Sequence, residues 1–298
     1  MRIRSMIAAA CLVAALPAWA GETKGEPMKV TVAAIRVVWG QGIHEPPERT
    51  VRRGLLMAEE AAQKGAKYIA LPENFLHSNN PADQQIPGRL TDLVVDVASK
   101  NNVYICAGMI ESQKSSFRES WDRFLSAVVV GPEGVLSVHR KVDIVISPEA
   151  RAWKEGSPRT DCGAWAGRDF EMHSMGEIER VGIMICRDSS TSWAWGRVLS
   201  QDPQMILHPN LRSSIVTYGA NLPAMAKRYG VPIVAPCGHP ESESLIVDRD
   251  GTIGDIETEK ERVLMGEVTL ADEHPDYMVF EVVQNRPQGR ARETGARE

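Results

Sequence analysis

Val181-Gly182-Ile183-Met184-Ile185 is an unbroken apolar run that ends at Cys186-Arg187-Asp188. Five residues without a polar side chain do not make the alternating pattern of a half-exposed strand, so this segment is expected in a sheet covered on both faces. Helices must supply that cover, and the sequence has them. Val51, Leu55, Ala58 and Ala62 recur at helical spacing between expected strands at 28–38 and 68–71, with Glu60 and Lys64 paired on the outside and Gly65 as the stop. Leu90, Leu93, Val94 and Val97 mark a second helix, closing at Asn101-Asn102 before a strand at 103–107. The order so far is βαβαβ.

Further along, 124–130 and 135–138 flank Gly131-Pro132-Glu133-Gly134 as a hairpin whose exit runs into His139-Arg140-Lys141. Residues 147–169 read as a long loop. Ser and Thr at 189–192 offer N-caps to a helix over 193–200. A strand at 205–207, a helix within 218–229 and a strand at 232–235 add another β-α-β passage, and 244–247, 252–256 and 263–268 read as closing antiparallel strands. Mixed sheets with helices outside them give an α/β (α+β) fold. No linker-like stretch divides 28–270, which is expected to be one domain, and 271–298 is expected to be a C-terminal extension, its polar, Gly- and Arg-rich end over 285–298 solvated and mobile or lying on a partner subunit.

The chain has 298 residues, 43% of them hydrophobic, so disorder is excluded. Thirty-four Lys and Arg face 39 Asp and Glu, and no segment concentrates the basic residues, which argues against nucleic acid as a partner. Arg2 and Arg4, an apolar run over 7–16, Pro17 and Ala18-Trp19-Ala20 have the form of a secretory signal over 1–20, with cleavage after Ala20 and a periplasmic or secreted product. Its removal would take the net charge from −5 to −7. The apolar run is far shorter than the ~20 residues that span a bilayer, and no other stretch approaches that length, so no membrane span is expected. Cys106, Cys162, Cys186 and Cys237 would remain, and export makes disulfides feasible.

There is no G-x-S-x-G elbow, no phosphate loop and no dinucleotide fingerprint, and the seven histidines are too scattered for a metal site. Three other residues each follow the end of an expected apolar strand: Glu73, Lys141 and Cys186. Sites in open α/β sheets form at that edge. A cysteine ahead of a helix start is biased toward thiolate, a nearby carboxylate can shuttle its proton to a leaving amine, and a fixed ammonium can neutralise an oxyanion. One nucleophile, one base and one cation suffice, without a cofactor. Taken singly, Glu73 reads equally as a turn cap, Lys141 as a solvated hairpin lysine, and Cys186 as a buried small hydrophobe or half of a disulfide.

Taken together and in order, Leu71-Pro72-Glu73-Asn74-Phe75, His139-Arg140-Lys141 and Gly182-Ile183-Met184-Ile185-Cys186-Arg187-Asp188 resemble the Glu-Lys-Cys signature of the carbon-nitrogen hydrolase family, the nitrilase superfamily. Ser244-Leu245-Ile246-Val247-Asp248 with Asp250-Gly251 is similar to that family's closing strand and turn. The resemblance implies an αββα four-layer sandwich, a homodimer or higher homo-oligomer, and a small-molecule amide or carbamoyl substrate. It also implies roles: Cys186 attacks the carbonyl, Glu73 serves as base and then acid, and Lys141 with the Arg187 backbone N–H holds the oxyanion. Glu149 falls where many members carry a second glutamate, the alternative being an exposed loop acid. Arg187 stands where the family usually has Tyr or Trp. It reads either as a selector of substrate carboxylates or as the partner of an acid such as Asp188. Cys186-Arg187-Asp188 argues for amide or carbamoyl hydrolysis over nitrile hydrolysis. A non-catalytic periplasmic small-molecule binding protein is the rival of a different class.

Overall fold

The computed structural model describes residues 26–38, 45–116, 119–144, 164–211, 216–217, 220–240, 242–257 and 262–271. Glu149, Cys162, the expected signal segment and nearly all of the 271–298 extension lie outside the described residues.

Two sheets form. In the first, β1 (Lys29–Arg36), β2 (Tyr68–Leu76) and β3 (Tyr104–Lys114) run parallel, while β4 (Trp121–Gly131) and β5 (Gly134–Arg140) continue antiparallel. The short β6 (Ala164–Trp165) adds to β4. The second sheet has parallel strands β8 (Ile178–Ile183), β9 (Met205–Leu207) and β12 (Ile233–Ala235) at its centre. It is flanked by β7 (Met172–Met175) on one side and by β13 (Ser244–Val247) and β14 (Ile253–Glu257) on the other. β10 (Val216–Thr217) and β11 (Ala220–Asn221) pair only with each other. β15 (Arg262–Thr269) returns to the first sheet beside β1, Lys29 facing Thr269.

Successive residues of these strands point to opposite faces and so enter different cores. Ala33, Ile69 and Ile105 pack outward against Val51, Leu55 and Ala58 of α1 (Pro47–Gln63) and Val94 of α2 (Arg89–Asn101). Ala34, Ala70 and Cys106 point the other way and meet Val181, Ile183, Met205 and Leu207 of the second sheet. Met184, Ile206 and Ile233 face outward again, onto Trp195 and Val198 of α3 (Ser192–Leu199) and onto Leu222, Ala226 and Tyr229 of α4 (Leu222–Tyr229). Three cores between four layers make an αββα sandwich. The apolar run from Val181 is indeed covered on both faces, and Gly182 lets α3 come close, since a Cβ there would lie 2.8 Å from Val198 Cγ1.

The helix ends follow local chemistry. Pro47 opens α1, Asn102 closes α2 in the left-handed conformation, and the Thr191 hydroxyl accepts from Ala194 N at the start of α3. β3 begins where the segment 103–107 is expected to start a strand and runs on to Lys114, because Glu111 and Ser112 are buried by partners in space: Arg140 and Ser126 donate to Glu111, and Ser112 Oγ donates to Gln84. One expectation needs correction. The expected loop over 147–169 carries β6. Among the described residues no helix is long and apolar enough to cross a membrane, and Cys106, Cys186 and Cys237 form no disulfide.

Candidate active site

Glu73 sits on a bulge. From Leu71 to Leu76, β2 advances five residues while β3 advances only from Ala107 to Met109, so residues 72–75 bow outward against Gly108. A Cβ on Gly108 would lie 2.2 Å from Pro72 O and 2.6 Å from Glu73 Cα, so only glycine lets the bowed chain pass. Asn74 closes the bulge at φ 56°, and the buried Phe75 ring anchors its far end beneath Gly54 of α1. Glu73 N donates to Asn210 O, and Leu211 N donates back to Glu73 Oε2 at 3.2 Å.

Lys141 is the first residue past β5. Its backbone donates to Leu125 O and accepts from Gly167 N, both at 2.7 Å, and its ammonium donates to Glu73 Oε1 at 2.6 Å. Both side chains are buried. Burial alone would push the Lys141 proton affinity down, but the Glu73 carboxylate, with Cys186 and Asp188 nearby, outweighs it and holds the lysine above its ordinary value. The site therefore keeps an ammonium beside the cysteine.

Cys186 follows β8 and adopts φ 48°, a conformation costing a non-glycine residue about 1–2 kcal/mol. The surroundings hold it there: Cys186 N donates to Pro209 O at 2.9 Å, Ser189 Oγ donates to Cys186 O, and Asp188 N donates to Ile185 O. The segment Pro209-Asn210-Leu211 beyond β9 thus bonds Cys186 on one side and Glu73 on the other. The helix expected over 193–200 is α3, which starts at Ser192 with Thr191 as its cap, and Cys186–Ser190 forms a 3₁₀ turn ahead of it. Five residues supply little aligned dipole, so the favourable charge near the thiol is the Lys141 ammonium.

Arg187 does not pair with Asp188. Its Nε lies 3.5 Å from Asp143 Oδ2, and its side chain is partly exposed. Asp188 is fully buried and accepts from three backbone N–H groups, those of Val142, Asp143 and Ile185. His208, also buried, binds Met184 O through Nδ1, and burial holds its proton affinity low. His139 Nε2 lies 3.9 Å from Asp188 Oδ2. Asp188, His139 and His208 were not singled out from sequence as site residues. A buried polar residue within two positions of a candidate catalytic group was the available signal for Asp188 and His139. His208 has none, being brought in by β9. Among the described residues no group of three His, Cys, Asp or Glu side chains is placed to hold a metal ion.

The carbon-nitrogen hydrolase profile matches residues 31–275. A nitrilase of Pyrococcus abyssi (strain GE5 / Orsay) is 30% identical over 151 residues, 48% of this chain and 51% of that protein. The omega-amidase NIT2-B of Xenopus laevis is 35% identical over 97 residues, 30% of this chain and 32% of that protein. The chain thus spans about half or less of the length of these curated relatives. In three dimensions it is similar to Saccharomyces cerevisiae Nit3, a member of branch 10 of the nitrilase superfamily (TM-score 0.65, 14% identity, 89% of this chain and 97% of that chain). An amidase from Nesterenkonia sp. superposes with TM-score 0.63 at 14% identity, over 80% of this chain and 90% of that one.

Proposed function

Since the chain belongs to the carbon-nitrogen hydrolase family, we propose that it hydrolyses the carbon-nitrogen bond of small linear amides or N-carbamoyl compounds, with Cys186 as nucleophile. The observation that carries this reading is the buried Glu73–Lys141 ion pair on one sheet, facing a strained cysteine turn on the other. In the proposed cycle the Cys186 sulfur forms a bond to the carbonyl carbon, and the thiol proton passes to the Glu73 carboxylate. Lys141 offsets the charge developing on the carbonyl oxygen. Glu73 returns the proton to the departing nitrogen as the carbon-nitrogen bond breaks, leaving a thioester and free ammonia or amine. Water then gives a proton to Glu73 and adds to the thioester, and the carbon-sulfur bond breaks to release the acid and restore the thiol.

Arg187 is proposed to favour acidic substrates, because its long contact with Asp143 can be exchanged for a bidentate bond to a substrate carboxylate. Export through the 1–20 segment is also proposed, and N-terminal sequencing of protein from outside the cytoplasm should begin at Gly21. The enzymatic reading is tested by iodoacetamide labelling with peptide mapping, beside ammonia release from a panel of amides, N-carbamoyl amino acids and nitriles. Stoichiometric labelling of Cys186 with parallel loss of amide hydrolysis is expected, and Arg187→Ala should erase any preference for acidic over neutral amides. Ammonia from nitriles alone would make it a nitrilase. No turnover and no labelling would make it a binding protein.

A further inference from the structure

Lys141 leaves the first sheet at the end of β5, whereas Cys186 leaves the second at the end of β8. Their separation is therefore set by how the sheets sit on each other, unless something ties the two exits together. Asp188 does so. Its Oδ1 accepts from Val142 N at 3.1 Å and Asp143 N at 2.7 Å, the two residues after Lys141. Its Oδ2 accepts from Ile185 N at 2.9 Å, the residue before Cys186. The carboxylate is fully buried, and three donors from two segments require a group that only accepts. A second tie lies alongside, where Asp143 Oδ2 meets Ser190 Oγ at 3.3 Å and Arg187 Nε at 3.5 Å.

We propose that Asp188 is a positioning residue that fixes the Lys141 ammonium in register with the Cys186 sulfur. The proposal rests on the reading of these two as oxyanion cation and nucleophile. Asp188 touches no reacting atom in this role and acts through Lys141. An asparagine of the same size would set an N–H₂ against one of the three N–H donors and release one arm of the tie.

A double-mutant cycle on an activated ester tests this, because such a substrate keeps turnover measurable when Lys141 is changed. Asp188→Asn should lower kcat by roughly 10²-fold with KM within about threefold, the size of losing one oxyanion donor. In a Lys141→Met background the same change should cost less than about threefold, since the group it positions is gone. Equal losses in the two backgrounds, or a wild-type kcat in Asp188→Asn, would overturn the proposal. Amide hydrogen exchange on the unaltered protein covers the case in which Asp188→Asn does not fold. Val142 and Asp143 lie outside any strand or helix, yet their amides should be protected at least ~10²-fold, in step with Ile185. Free exchange at Val142 and Asp143 would equally overturn it. If the unaltered protein turns over neither an amide nor the activated ester, the hydrolase reading fails, and the exchange measurement still decides whether the tie exists.

Discussion

A carboxylate and an ammonium 2.6 Å apart in a buried site do different chemistry, and single substitutions separate them. Cys186→Ala removes the nucleophile and should abolish turnover with no acyl adduct. Glu73→Gln still accepts from Leu211 N but takes no proton, so acylation and thioester hydrolysis should both slow by ~10² to 10⁴-fold. An activated ester needs less help in acylation than an amide does, so with this variant a covalent adduct on Cys186 should accumulate in the mass spectrum. Lys141→Met should raise the barrier by roughly 3–4 kcal/mol. Each of the last two changes also leaves a buried charge without its partner, which costs about 3–5 kcal/mol of stability, so Tm should fall while the native circular dichroism spectrum is kept. Near-normal amide rates in Glu73→Gln would remove Glu73 from the mechanism and leave the nucleophile in place.

At the scale of elements, the bulge in β2 decides where Glu73 goes, and Gly108 decides whether the bulge fits. Gly108→Ala would drive a methyl group into Pro72 O and Glu73 Cα, and neither backbone atom can swing away as a flexible side chain would. We expect kcat to fall at least ~10-fold through displacement of Glu73, with a stability loss of about 1–3 kcal/mol from overpacking. A wild-type kcat with unchanged Tm would show that the strands adapt. The sequence announces Glu73 but not Gly108. Apolar periodicity marks helices that bury one face, as in α1 and α2, and an unbroken apolar run marks a strand covered on both faces, as in β9 and the Val181 run; Ser244–Val247 also falls where read. A bulge is a mismatch between two strands, and neither strand contains it alone. The same limit hid the second half of β3, where Glu111 is polar in sequence yet neutralised in space by Arg140. It hid Asp188 too, whose three partners come from two segments more than forty residues apart.

For the whole molecule, the seam between the two sheets carries the clearest dependence on pH. His173 of β7, on the second sheet, reaches across to Ser137 Oγ of β5 on the first at 2.8 Å, and its ring stands edge-on to His139. Burial, with the His139 ring beside it, pulls the His173 pKa down from 6.5 to about 4. A folded-state value below the unfolded one means the unfolded chain takes the proton first. Stability from a neutral His173 is therefore fully present above pH 6.5 and lost as the pH falls from 6.5 toward 4. A displacement of this size is worth about 3 kcal/mol in full, of which about 2 kcal/mol is gone by pH 5. Carboxylates elsewhere also titrate in that range, so the quantity to compare is the difference between two proteins measured identically. Urea unfolding at pH 7.5 and pH 5 should show the unaltered chain losing roughly 2 kcal/mol more than His173→Asn, which fills much of the site without a titrating ring. The asparagine variant starts from a lower stability at pH 7.5, because it leaves space beside His139, but its slope with pH is shallower. Equal losses in the two proteins would mean that His173 accepts its proton without cost in the folded state and that the seam between the sheets already admits water.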